Sequence, residues 1–231
     1  MIHRLREVLH FVAICVPCLT SGTQPSAAGE QFDTAVRSVV AVRFEHAPGD
    51  FSEGMGVYVG DGRIFTVAHV LGSVKPLTPV TVLTTNDSGY YGTKIDAVVE
   101  KVHPKIDAAV LRVAEPRGLL PLPPCRSARS GDRVSLARLS EVEPEPGNAL
   151  GGTFYVLEIE DRAFVALPGI EHPVILGRVE QGFSGTPVLS MEGECFYGIV
   201  TGSLVMTSQT KDRVRRFERV MLLDPAVLSD F

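Results

Sequence analysis

The 231-residue chain has no excess of basic charge and no block of like charges, and its formal net charge is −5 at pH 7. A nucleic-acid binder needs a basic face to neutralise phosphates, so that class is excluded. The short cluster Lys211, Arg213, Arg215, Arg216 and Arg219 is broken by Asp212 and Glu218 and reads as a solvated loop. Zinc-type spacing of His and Cys is missing, as is a glycine-rich phosphate loop. No metal and no cofactor is therefore expected. No internal sequence repeat is present. The most apolar early run, Val8 to Leu19, contains Pro17 and is too short to cross a bilayer as a helix.

That run has the form of an address. Arg4 and Arg6 precede it, and the small residues Ser26-Ala27-Ala28 follow where a signal peptidase cuts, so residues 1–28 read as a signal peptide. Export, periplasmic or secreted, with no stable membrane span after cleavage, is the expectation. An uncleaved anchor is the alternative. Cysteine is scarce, with four in all. Cys15 and Cys18 have redox-motif spacing but leave with the leader, and Cys15-Val16-Pro17 fits a lipoprotein cleavage site badly. Cys125 and Cys195 remain, one possible bridge in an oxidising compartment. Their distance in the fold is not written in the sequence.

What is there is mostly strand. At 45% hydrophobic residues the chain can bury a core as one unit or two small subdomains. Val36 to Phe44 is rich in β-branched residues and reads as a first strand. Gly56 to Val59 and Arg63 to Val67 flank Gly60-Asp61-Gly62, a strong hairpin signal. Val80 to Thr84 and Lys94 to Val102 follow, separated by the turn residues Asn86 to Gly89. The strand Ala108 to Val113 completes about six, enough to close a small barrel. Four prolines between Glu115 and Pro124 then mark a linker. Strands resume at Arg133–Leu139, Gly152–Glu160, Arg162–Leu167, Val174–Val179, Pro187–Ser190, Phe196–Ser203 and Phe217–Leu223. Asp224 as N-cap with Pro225 at the first helical position predicts a short closing helix.

Between two of those strands lies Gly182-Phe183-Ser184-Gly185. A serine between glycines describes a tight turn exposing one hydroxyl, and Gly182 accepts backbone angles closed to other residues. Such a serine needs a base to take its proton. His69 stands in Ile64-Phe65-Thr66-Val67-Ala68-His69-Val70-Leu71, at the end of an apolar strand, and Asp107 precedes Ala108-Ala109-Val110-Leu111. His46, His103 and His172 read as histidines of no special role.

In the order His, Asp, Ser these segments resemble the signatures of the chymotrypsin-like serine proteases, nearest to the bacterial Deg-type branch, over about Val36 to Leu223. Three motifs in order at domain-scale spacing are far more specific than Gly-x-Ser-Gly alone. The resemblance implies an all-β fold of two six-stranded antiparallel β-barrels with a short C-terminal helix. It sets residues 29–114 as the first barrel with His69 and Asp107, 115–130 as linker, and 131–231 as the second barrel with Ser184. It implies a serine endopeptidase acting on protein or peptide substrates through an acyl-enzyme, without the peptide-binding module that many Deg-type proteases append. Ser184 is then the nucleophile, His69 the general base and acid, and Asp107 the orienting carboxylate, with Asp96 its weaker rival because no matching apolar run follows it. Gly182 and Ser184 would donate N–H groups to the oxyanion. The substrate pocket would have Arg178 at its floor and Val200, Thr201 and Ser203 along its wall. An arginine there favours an acidic substrate side chain, unless Arg178 pairs with Glu180 or faces solvent.

Two positions depart from the digestive relatives. Phe183 replaces the aspartate that pairs with a freed N-terminus, so that activation switch is expected to be absent. Thr186 stands where many relatives have glycine. A non-catalytic binding module on the same scaffold, or an esterase using the same triad, are the competing functions. Oligomeric state has no signature here.

Overall fold

Alternation of apolar residues along the strands has a simple cause: each strand turns one side chain in two toward the inside of a closed sheet. The structure, a computed structural model, describes residues 34–85, 92–142, 154–167, 169–170, 174–176, 182–207, 214–222 and 231. Six strands, β1 (Val39–Ala47), β2 (Asp50–Gly60), β3 (Arg63–Thr66), β4 (Pro79–Thr85), β5 (Gly92–Val102) and β6 (Ala109–Val113), close in the order β1-β2-β3-β6-β5-β4. Six more, β7 (Arg133–Val142), β8 (Phe154–Val165), β9 (Val174–Leu176), β10 (Pro187–Ser190), β11 (Phe196–Thr207) and β12 (Val214–Leu222), close as β10-β11-β12-β9-β8-β7. All strand pairs are antiparallel. The expected pair of six-stranded barrels is present.

The β2–β3 hairpin forms as its turn residues dictate. Gly60 pairs with Arg63, and Asp61 and Gly62 both take positive φ, +52° and +73°, as a two-residue turn matched to strand twist requires. Elsewhere the strand bounds shift. Residues 34–38 are helical, not strand. Ser38 Oγ–H donates to the Ala35 carbonyl at 2.7 Å, a local bond that holds the chain coiled until Val39. The two strands expected around Asp161 are one, β8, because β7 pairs with it from Arg133–Ala163 to Val142–Phe154. Arg215, Arg216 and Arg219 lie in β12 rather than in a solvated loop, opposite Met206, Val205 and Gly202. The signal peptide, the turn at Asn86 to Gly89 and the closing helix from Asp224 lie outside the described residues.

Period-two alternation also joins the barrels. Val134, Leu136, Val188 and Val200 point into the second barrel. Their neighbours Ala137, Leu139, Leu189 and Ile199 instead join the core built on the first barrel. One sheet therefore serves two cores, and a one-residue slip in β7, β10 or β11 would exchange them. Among the described residues no helix is long and apolar enough to cross a membrane.

The proline-rich linker carries no strand of its own, only a parallel bridge between Pro124 and Phe196. Its backbone is laced to both barrels. Leu122 N–H donates to the Tyr58 carbonyl at 3.0 Å, Cys125 N–H to Phe196 at 2.8 Å, and Phe196 N–H to Pro123 at 3.0 Å. Cys125 and Cys195 form a disulfide with Cα atoms 5.1 Å apart, 70 residues separated in sequence. A loop of that size, cross-linked, loses enough unfolded-state entropy to stabilise the fold by about 2–5 kcal/mol. Cys195→Ser, or wild type with reductant, is expected to lose that amount in denaturant unfolding; an unmoved midpoint in both would show the bridge adds nothing.

Candidate active site

β3 and β6 are neighbours in the first barrel, with Thr66 opposite Ala109. Whatever follows β3 therefore meets whatever precedes β6. After Thr66, Val67 stays extended and Ala68–Leu71 makes a single helical turn, stopped by Gly72 at φ +67°. Buried Val70 and Leu71 anchor that turn, which leaves His69 on its outer side. His69 thus sits on a helical turn beyond the strand, not at the strand's end as its apolar run suggests. Ser52 Oγ–H donates to the Val70 carbonyl and fixes the turn from below.

Asp107, two residues before β6, grips His69 twice. One carboxylate oxygen accepts the His69 main-chain N–H at 2.9 Å and the other meets Nδ1 at 2.6 Å. A carboxylate only accepts, so Nδ1 carries a proton, and in the neutral ring that tautomer leaves the Nε2 lone pair facing Ser184. Nε2 lies 2.8 Å from Ser184 Oγ, 115 residues further along the chain. The imidazole and the carboxylate are 46% and 35% exposed, which leaves the site open to solvent. Asp96, the rival acid, lies in β5 opposite Thr81, away from this contact.

Ser184 is delivered by the turn leading into β10. Its carbonyl accepts the Met55 N–H at 2.7 Å, a main-chain bond from the second barrel to the first. Gly185 N–H donates to Val200 at 2.7 Å and Thr186 N–H to Phe183 at 3.0 Å. By contrast, the N–H groups of Gly182 and Ser184 have no acceptor among the described residues. Two open amide donors beside a serine hydroxyl can bind a developing oxyanion. The glycines here are required for different reasons. Gly182 has φ +94° with open space around its missing Cβ, so only its backbone angle demands glycine. At Gly185 a Cβ would lie 1.9 Å from the Met55 carbonyl oxygen, so space demands it too.

Phe183 is 3% exposed and belongs to the second barrel's core. The Arg138 guanidinium lies 4.5 Å from its ring centroid and is paired with Glu158. Thr186 is fully buried with no hydrogen-bond partner for Oγ1 among the described residues, and nothing in the structure explains threonine there. Of the expected pocket residues, Val200 is 2% exposed with its side chain in the barrel core. Thr201 is the extra residue of a β-bulge between Val200 and Gly202, which re-aims it. Ser203 is exposed, and Arg178 lies outside the described residues. Sequence reasoning missed Met55 and Ser52, one acting through its backbone and the other through a hydroxyl that donates to the Val70 carbonyl. Neither contact leaves a motif. Among the described residues no cluster of three or more His, Cys, Asp or Glu side chains is placed to hold a metal.

Residues 54–199 match the family model of the trypsin-like peptidase domain. No curated protein matches the chain. Solved structures share its architecture. A serine endoprotease from Yersinia pestis superposes with a TM-score of 0.58 at 20% identity, covering 90% of this chain and 65% of that one. The active form of the Rv3671c protease of M. tuberculosis gives 0.55 at 23% identity, covering 87% and 81%. The MamO protease domain of Magnetospirillum magneticum gives 0.52 at 16% identity, covering 87% and 98%. At these identities the likeness is one of fold, and the chain spans about two thirds of the Yersinia protein.

Proposed function

The chain belongs to the family of trypsin-like peptidase domains, and from that premise we propose that it is a serine endopeptidase working through His69, Asp107 and Ser184. The observation that carries the reading is the unbroken relay from Asp107 Oδ2 to His69 Nδ1 at 2.6 Å and from Nε2 to Ser184 Oγ at 2.8 Å. As Oγ attacks a peptide carbonyl, Nε2 takes its proton, and Asp107 stabilises the imidazolium and holds its tautomer. The carbonyl oxygen, now charged, is met by the N–H groups of Gly182 and Ser184. Nε2 returns the proton to the leaving amine, leaving an acyl-enzyme on Oγ. Water, activated by the same imidazole, releases the acyl group. A protein or peptide is the substrate, and no metal or cofactor takes part.

Ser184→Ala is expected to lower peptide hydrolysis by at least about four orders of magnitude and to abolish labelling by a fluorophosphonate. Gly182→Val is expected to stay folded while losing about a hundred- to thousandfold in rate. Labelling that survives in Ser184→Ala would place the nucleophile elsewhere.

By the resemblance, the specificity pocket would have Arg178, which lies outside the described residues, at its floor and Val200, Thr201 and Ser203 along its wall. Charge pairing with a guanidinium favours an acidic side chain before the scissile bond. Cleavage of a peptide library should then be enriched in Asp or Glu at that position, and a preference for small apolar residues would defeat the assignment. Export is the last part of the reading, resting on the charge, apolar run and small residues of 1–28. N-terminal sequencing of the released protein should begin after Ala28; a start at Met1 would argue for an anchor.

A further inference from the structure

We propose that His103 is a positioning residue for the Asp107 carboxylate, an inference that rests on the serine peptidase reading above. His103 stands one residue past β5 and four before Asp107. Its Nδ1 accepts two main-chain N–H groups, those of Lys105 and Ile106, each at 3.1 Å. Its own N–H donates to the Ala108 carbonyl at 2.9 Å, and Ala108 N–H donates to Ile106 at 2.8 Å. The loop that presents Asp107 is therefore closed around one side chain. A ring nitrogen that accepts twice works here as an Asn or Asp side chain does at a helix N-terminus, satisfying donors that the turn leaves over.

The imidazole is itself held from behind. The Phe231 ring packs against it at 5.3 Å between centroids, tilted by 49°. The same ring stands edge-on to Phe65 at 5.1 Å and 85°. Lys101 Nζ, on β5, lies 5.8 Å from the Phe231 centroid. Phe65 is fully buried in β3, the strand that leads to His69. One aromatic ring thus spans from the strand that aims the base to the residue that shapes the acid's loop. The separation of imidazole and carboxylate is set by packing behind both. A displacement of about 1 Å at a catalytic group can cost about a hundredfold in rate. That gives His103 a catalytic consequence although it touches neither Ser184 nor substrate.

The test is steady-state hydrolysis of a peptide substrate, with fluorophosphonate labelling and thermal melting of each variant alongside. His103→Ala should remain folded, lose about ten- to a hundredfold in kcat, and keep KM within about twofold. His103→Asn, whose Oδ1 can accept the same N–H groups, should restore most of the loss. Phe231→Ala should show a smaller loss of the same kind, about threefold to tenfold in kcat. Wild-type kcat in His103→Ala, a loss confined to KM, or an Asn variant as slow as Ala would overturn the proposal while leaving the triad reading intact. A wild type that takes no label at all would overturn the triad reading, and this one with it.

Discussion

A main-chain hydrogen bond, from the Met55 N–H to the Ser184 carbonyl at 2.7 Å, joins the two barrels at the site. Met55 is tied on three further sides. Its carbonyl accepts from Thr66 Oγ1 at 2.7 Å, its thioether sulfur from Leu139 N–H at 3.4 Å, and its backbone pairs across β1 with Ala41. The Ser184 turn is thereby referenced to the strand beside the one that leads to His69. Close approach has a steric consequence. A Cβ on Gly185 would sit 1.9 Å from the Met55 oxygen, and one on Gly54 would sit 2.7 Å from the Ser184 oxygen and 2.6 Å from a Val70 methyl. Two glycines far apart in sequence are thus required by one contact. Side chains at either place would push the barrels apart and lengthen the 2.8 Å reach from imidazole to hydroxyl.

Why barrels suit this arrangement follows from closure. A closed sheet has no free edge to distort or to pair with another chain, so its rim is a fixed frame. In the first barrel, pairing of β3 with β6 sets the His69 turn beside the Asp107 loop. In the second, Ala137, Leu139, Leu189, Phe196 and Ile199 pack toward the first barrel while Val134, Leu136, Val188 and Val200 fill their own core. The mutual position of the two barrels is fixed by shared apolar packing. Orientation is then established at folding rather than at binding.

Much of this is legible in the chain. Asp61-Gly62 specifies its hairpin because glycine and aspartate tolerate positive φ, and β-branched alternation marks most strands. The triad segments are readable because nucleophile, base and acid each need a particular side chain. Contacts made by backbone atoms need none, which is why Met55 carries no signal. Local competition hides other features: the Ser38 hydroxyl bond coils residues whose side chains favour strand. At Glu160-Asp161-Arg162 the charge density suggests a turn, yet Arg133 and Ser135 on β7 face Asp161 and let the strand run through. The Cys125–Cys195 bridge depends on the linker's path across β11, a tertiary matter that spacing cannot express.

Phe183 shows how the turn of Gly182 and Ser184 can be held without a buried charge. A carboxylate at that position, taken out of water, needs a cation delivered to it, because an unpaired buried charge is costly. A phenyl ring needs only apolar surroundings. Buried at 3% exposure among Val134, Leu136, Ile175 and Val188, it contributes about 1.5–3 kcal/mol to the folded turn. The Arg138 guanidinium over its face adds about 0.5–2 kcal/mol, and Glu158 keeps that cation in place from β8. None of these terms depends on a charge created by chain cleavage. The turn that presents Gly182 and Ser184 is therefore stabilised by the same core that closes the second barrel, so the open amide pair forms when the barrel does.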